Sequence, residues 1–252
     1  MTHWTPTVDG VAVPSVTTIL GVMEKEWLRP WYAKEELSRC VGELDATVKS
    51  LLPFKDLLAS WRKRIKEKDY AATQRAKDAG DIGTMFHQCV EDILRNESKL
   101  VIPPPVLPLV RKWQEWQDQF NPQPHGLEQH VISKKWMYGG TFDFIGITSH
   151  TNEPGELTIA DWKTSNKIDD TFGLQLAAYA YAYGEQKGWT EEETWKWITV
   201  GVSVRVDKRA YKDNELEVKV YNDLPYLFRV FSSLREPYDY LRKVGVWESE
   251  DE

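Results

Sequence analysis

Near Leu127 the hydrophobic periodicity of this 252-residue chain changes, and that change constrains the fold more than any other feature. Before it, apolar residues recur at helical spacing. Pro14–Ser15 followed by Val16, Ile19 and Leu20 predicts a short capped helix. Pro30 at a first-turn position opens a second helical run through Trp31, Leu37 and Val41. Leu57, Leu58, Trp61 and Ile65 predict a helix within Phe54–Ala79, which Gly80 and Gly83 are expected to interrupt. Thr84–Leu94 then reads as a separate helix with Phe86, Val90, Ile93 and Leu94 on one side. Pro103–Pro104–Pro105 with Pro108 predicts a rigid connector, followed by a helix bearing Trp113, Trp116 and Phe120.

After Leu127 the alternation is that of strands. Glu128–Ile132, Thr141–Ile147 and Leu157–Trp162 are three candidates, and Trp197–Val206 with Leu216–Tyr221 form a strand pair joined by the polar segment Asp207–Asn214. Phe172–Gly184 reads as an amphipathic helix rich in Ala and Tyr. Leu224–Val244 reads as a terminal helix with a break near Pro237. This order predicts an α/β (α+β) architecture, a mixed central β-sheet flanked by helices. We expect one domain over 1–252, with a helical block at 14–120 elaborating a sheet core at 127–244.

Composition excludes several classes. At 41% hydrophobic and 28% charged residues the chain can bury a core, so wholesale disorder is excluded. No apolar run approaches the ~18 residues of a membrane span, and Met1–Gly10 carries neither a signal-like apolar stretch nor an Arg-rich transit pattern. Cys40 and Cys89 are too few for a disulfide scaffold, a four-cysteine zinc site or an iron–sulfur cluster, which points to a reducing cytoplasm. The net charge of −7 argues weakly against a nucleic-acid partner. Its distribution changes that argument. Residues 61–77 carry seven basic against two acidic side chains, a local charge of +5, while Glu248, Glu250, Asp251 and Glu252 concentrate negative charge in the tail.

Asp161–Trp162–Lys163 ends an apolar stretch, and in a strand its first and last residues share a face. Four such acid–x–Lys triplets occur in the chain, so the triplet alone discriminates little. Its context discriminates more. Thr151–Asn152–Glu153–Pro154–Gly155 is a strong turn signal, and if Asp143 faces Asp161 across a hairpin, the turn centres on residue 152. Both carboxylates and Lys163 would then meet on one sheet face. Two buried carboxylates repel unless a cation separates them. A hard divalent ion such as Mg²⁺ suits oxygen ligands, lowers the pKa of a water and polarises a phosphoryl oxygen. A neighbouring ammonium stabilises negative charge as it develops. Helical spacing also places Gln175 with Tyr179, and His87 with Glu91, on shared faces. Glu128 opens the first strand, where it can support the site or simply lie at an edge.

In order along the chain, Gly83–Thr84–Met85–Phe86–His87, Glu128, Gly140–Thr141–Phe142–Asp143, Asp161–Trp162–Lys163 and Gln175–Leu176–Ala177–Ala178–Tyr179 resemble the motifs of RecB-type nucleases of the PD-(D/E)xK superfamily. Pro14–Ser15–Val16–Thr17–Thr18–Ile19–Leu20 resembles the opening of phage and mitochondrial genome maintenance exonucleases of that branch. The resemblance spans roughly residues 14–190. It departs in having Phe142 where the superfamily's proline precedes the first acid, and in lacking the cysteines of cluster-bearing relatives. It implies a restriction-endonuclease-like core and a metal, Mg²⁺ or Mn²⁺, held by His87, Asp143, Asp161 and the Trp162 carbonyl. Lys163 would be the catalytic lysine, with Gln175 and Tyr179 supporting the site or touching DNA phosphate, and Glu91 and Glu128 behind the ligands. Arg62, Lys63, Arg64, Lys66, Arg75 and Lys77 would track DNA.

The expected activity is a metal-dependent DNA exonuclease acting from free or single-stranded ends in phage or bacterial DNA processing, in the cytoplasm of the bacterial or infected host cell. Two rivals are a structure-specific or single-strand endonuclease using the same site, and a non-catalytic DNA-end-binding partner of a recombination protein.

Overall fold

The computed structural model describes residues 4–23, 71–97, 101–151, 153–207 and 216–244, with backbone alone along 71–79. Contacts divide the chain into two compact units, Met1–Met23 with Met85–Glu252, and Glu24–Thr84. The sheet lies in the first. Of the second, only the helical stretch 71–84 is described. The predicted helices from Pro30 and within Phe54–Ala79 therefore lie wholly or largely outside the described residues, as do Cys40 and the acidic tail.

The chain enters through a small hairpin, β1 (Thr7–Val8) and β2 (Val11–Ala12). Asp9 and Gly10 turn it with φ of 49° and 81°. A turn with positive φ at both central residues matches strand twist, and Asp-Gly is its preferred pair. Helix α1 (Val16–Leu20) follows, with Ser15 Oγ accepting from Thr18 N at 3.0 Å as its N-cap. This segment is anchored to the sheet where Gly139 N donates to Pro14 O at 3.1 Å.

Helix α2 (Ala71–Leu94) runs unbroken through Gly80 and Gly83. The interruption expected there does not occur. Glycine costs about 1 kcal/mol in a helix interior but keeps its N–H, so, unlike proline, it leaves the ladder intact. Helix α3 (Leu107–Phe120) holds Pro108 in its first turn, so that proline starts the helix rather than extending the connector.

Strands β3 (Gln123–Ser133), β4 (Tyr138–Ile147), β5 (Leu157–Lys163), β6 (Ile198–Val206) and β7 (Leu216–Tyr221) form one five-stranded sheet in that order. Neighbours are antiparallel except β5 and β6, which are parallel, so the sheet is mixed as predicted. A parallel pair needs a crossover. Here it is α4 (Thr171–Gln186) and α5 (Glu191–Trp197). Helix α5 escaped the sequence reading although Thr190 and Glu193 form a reciprocal capping box at its start.

Helix α4 is also not amphipathic. Gly173–Gly184 is buried throughout, and the helix packs on the sheet with α6 (Leu224–Ser233) against it. Small residues at Ala177, Ala178, Ala180 and Ala182 allow that close packing on several sides. Helix α7 (Arg235–Lys243) follows α6 with the break at Leu234, and Pro237 sits in the first turn of the new helix, where no N–H is needed. On the opposite sheet face, Trp113 and Trp116 of α3 pack edge-on to Trp162 at 5.5 and 5.1 Å between centroids.

Candidate active site

The β4–β5 hairpin holds the predicted register. Phe144↔Ala160, Ile145↔Ile159 and Gly146↔Thr158 each sum to 304, so Asp143 and Asp161 occupy the next facing positions. Backbone pairing stops there. Instead, Trp162 N donates to Asp143 Oδ2 at 2.5 Å, and the Asp143 side chain takes the place of a ladder carbonyl. The strand also switches faces at this point. The Tyr138 hydroxyl donates to Ala178 O of α4, and Gly140 and Phe142 also abut that helix. Phe144, two residues further on, packs on Trp162 instead.

The partner strand bends at the same level. The register Leu127↔Phe144 and Gln129↔Phe142 puts Glu128 across from Asp143, and Glu128 has a φ of 47°. A left-handed backbone at a non-glycine residue costs on the order of 1 kcal/mol and persists where surrounding structure enforces it. It turns the Glu128 carboxylate towards the cluster. His87, from α2, completes the group. Its Nδ1 lies 3.1 Å from Asp143 Oδ1 and 3.8 Å from Glu128 Oε1. One donor atom from each of His87, Glu128 and Asp143 lies within 4.8 Å of the others. Asp143 is 6% exposed, whereas the His87 and Glu128 side chains are 30% and 31% exposed and form the open side.

Burial and mutual contact shift the titration of all three side chains. Burial opposes a charge on His87, but Asp143 and Glu128 outweigh it and raise its pKa to about 10. Burial pushes Asp143 up to about 7; His87 pulls down and Asp161 pushes up. Burial likewise works to raise Glu128, but His87 brings it below its ordinary value. A proton on His87 thus stands where a divalent ion would neutralise the carboxylates. The imidazole and carboxylate donors fit such an ion.

Asp161 is 4% exposed and its carboxylate is ion-paired with Lys163. Lys163 Nζ donates to Gln175 Oε1 at 3.1 Å, and Gln175 Nε2 donates to the Tyr179 hydroxyl at 2.8 Å. Spacing paired Asp161 with Lys163 and Gln175 with Tyr179, the resemblance alone tied the second pair to the first, and in the structure the four form a relay from β5 to α4. Burial, with the Asp161 charge next, raises the Tyr179 pKa and keeps the phenol neutral. Tyr179 lies flush against Gly140, where any side chain would strike its ring.

Arg205 of β6, in register with Lys163, holds the loop between β5 and α4. It donates to Ser165 O and Asn166 O at 3.2 and 3.3 Å and is neutralised by Glu217 at 2.7 Å. No sequence motif marked it, because the loop carbonyls it holds lie about 40 positions earlier in the chain.

Of the remaining expected residues, Trp162 is buried, with its ring against α3. Glu91 is engaged by Arg95 Nη2 at 2.6 Å, one turn beyond His87. Arg62, Lys63, Arg64 and Lys66 lie outside the described residues, as do the side chains of Arg75 and Lys77.

The family model of the PD-(D/E)XK nuclease superfamily matches residues 105–243, more than half of the chain. The chain belongs to the PD-(D/E)XK nuclease superfamily. It is therefore a metal-dependent nuclease with DNA as its substrate class. The superfamily match contains Glu128, Asp143, Asp161, Lys163, Gln175 and Tyr179 but begins after His87. No curated protein matches the chain. Among solved structures, the crystal structure of SSO0001 is similar at 14% identity and a TM-score of 0.30, covering 64% of this chain and 74% of that one. Among the described residues no helix is long and apolar enough to cross a membrane.

Proposed function

We propose that this chain is a Mg²⁺- or Mn²⁺-dependent DNA exonuclease of the RecB-type branch, serving phage or bacterial DNA processing as a single nuclease domain. The observation that carries the site assignment is the meeting of His87, Glu128 and Asp143 within 4.8 Å, beside the Asp161–Lys163 pair. End-directed cutting is supported by the resemblance of Pro14–Leu20 to the opening of phage exonucleases. His87, Glu128 and Asp143 would hold the ion, with Asp161 and the Trp162 carbonyl as the adjoining donors.

A divalent ion held there supplies Lewis-acid polarisation of a phosphoryl oxygen and a water of lowered pKa. The protein supplies the rest. Asp161 and Gln175 aim the Lys163 ammonium at the place where phosphoryl negative charge grows. Tyr179, kept neutral, fixes the amide orientation of Gln175. Asp143 ties the end of β5 to β4 through Trp162 N, holding the acids in register. Hydrolysis breaks the P–O3′ bond and leaves a 5′-phosphate.

The test is end-labelled linear and closed-circular DNA, single- and double-stranded, incubated with Mg²⁺, Mn²⁺ or EDTA, with Asp161→Ala and Lys163→Ala alongside. Cutting of linear DNA that stops with EDTA and falls strongly in both variants is expected. Cutting of closed circles would replace the exonuclease by an endonuclease with the same site. Undiminished cleavage by both variants would remove the site assignment. Binding without cleavage would favour a DNA-end-binding partner.

A further inference from the structure

Next to the cluster, a cleft of about 530 Å³ is lined by Trp4, Ser15, Thr17, Thr18, Glu128, His130, Thr141 and Tyr179 among others. That volume falls in the ~300–1,000 Å³ range of pockets that enclose a small organic ligand. One wall is a pair of stacked rings. The Trp4 and His130 centroids lie 4.2 Å apart with the planes 3° from parallel. His130 is held in that pose by Thr141 Oγ1 at 2.7 Å, from the adjacent strand. Trp4 is held by the turn of chain that β1, β2 and the Pro14–Gly139 bond clamp to the sheet. Neither ring belongs to the hydrophobic core, and His130 is exposed. Ser15, Thr17 and Thr18 also line the cleft, and Ser15 Oγ lies 3.0 Å from Thr17 Oγ1 and 2.7 Å from Thr18 Oγ1.

A flat, pre-stacked aromatic surface outside the core, two residues along β3 from Glu128, is unexplained by packing. We propose that Trp4 and His130 form a stacking platform for the unpaired nucleobase next to the scissile phosphate. This rests on the nuclease reading above and names its substrate as a locally single-stranded segment. Stacking on an aromatic face is tolerant of base identity because every base offers a π-face. Base pairing would compete with the platform, since an unpaired base is the one free to leave the duplex stack. Glu128 both lines the cleft and belongs to the metal cluster, so the nucleotide on the platform adjoins the bond to be cut.

The experiment uses the full chain and labelled single strands that each carry one abasic residue at a chosen position. Native enzyme with Mn²⁺ is expected to show a dip in cleavage at a constant offset from the abasic residue. In Trp4→Ala the dip vanishes and kcat/KM on intact single strand falls about 10-fold, the scale of one base–aromatic stack; Trp4→Phe keeps the dip. A variant that merely loosens the fold lowers cleavage at all positions and leaves the dip in place, which would overturn the platform. So would a native profile without any dip. Affinity for the same strands in Ca²⁺ is measured in parallel. Position-dependent binding that Trp4→Ala abolishes, with no cutting in Mg²⁺ or Mn²⁺, would overturn the nuclease reading and support the platform.

Discussion

Asp161–Trp162–Lys163 presents two different environments within three residues. Trp162 points to α3, where Trp113, Trp116 and Phe144 enclose it and it is 2% exposed. Asp161 and Lys163 point to α4, into a chain of charged and polar groups that ends at Tyr179. The Trp side gains stability from apolar contact and shape. The acid side holds like charges at close range, the arrangement that the proposed nuclease site requires. Side-chain alternation on one strand lets the first side brace the second.

If that division is right, substitutions on the two faces should separate. The largest effect is expected on the acid side. Asp143→Asn should reduce nuclease activity by roughly 10³-fold or more, the scale for losing a central charged group. Its melting temperature should fall less than that of Trp162→Ala, because the amide keeps an acceptor for Trp162 N and relieves the repulsion from Asp161 while the His87 contact loses its charge; an equal loss of stability would break the comparison. On the other side, Trp162→Ala should destabilise the fold by about 4 kcal/mol through cavity formation, read by denaturant unfolding. Equal destabilisation by Lys163→Ala would erase the distinction.

Lys163→Ala should lower kcat by about 10²-fold, as expected for removing one pre-aimed electrostatic stabiliser. Single-turnover kinetics on a saturating DNA strand would measure it. Gln175→Leu removes one of the two groups that aim Lys163 and leaves Asp161, so a loss nearer 10-fold in kcat is expected, with KM little changed.

The smallest effect concerns His150 behind the Trp side. It stacks on Phe120 at 3.8 Å and accepts a hydrogen bond at Nε2 from Trp116 Nε1 at 3.2 Å, and burial lowers its pKa. A histidine with a lowered folded-state pKa favours the neutral form, so the unfolded chain takes up the proton first. Its contribution is present above its ordinary value near 6.5 and is lost as pH falls below it. His150→Phe should flatten the decline of melting temperature between pH 7 and 5. An unchanged slope would remove His150 from that account.

How far local pattern reached can be judged from particular residues. The turn at 151–155 and the strand period of two were enough to place Asp143 opposite Asp161, and the pairs 144↔160 to 146↔158 keep that register. Spacing paired Asp161 with Lys163 on a strand and Gln175 with Tyr179 on a helix, whereas the bond from Lys163 to Gln175 that joins the pairs is tertiary. Two local signals were passed over, the Asp9–Gly10 hairpin and the Thr190–Glu193 capping box, because the elements they start are only 2 and 7 residues long. Gly80 and Gly83 were read as breaks because propensity counts a cost that the rest of a 24-residue helix absorbs.

Local chemistry therefore established the five strands of the main sheet, the β4–β5 register and the acid–lysine face, because alternation and turn formation depend on neighbours in the chain. It could not establish that Glu128 adopts a φ of 47° to turn its carboxylate towards His87, or that Trp4 stacks on His130, 126 positions away in number. Nor could it show that α4 is buried on nearly every side. Those outcomes depend on which distant surfaces pack together and on the desolvation that follows. Contact and desolvation are properties of the assembled fold, so folding alone brings His87, Glu128 and Asp143 into one site.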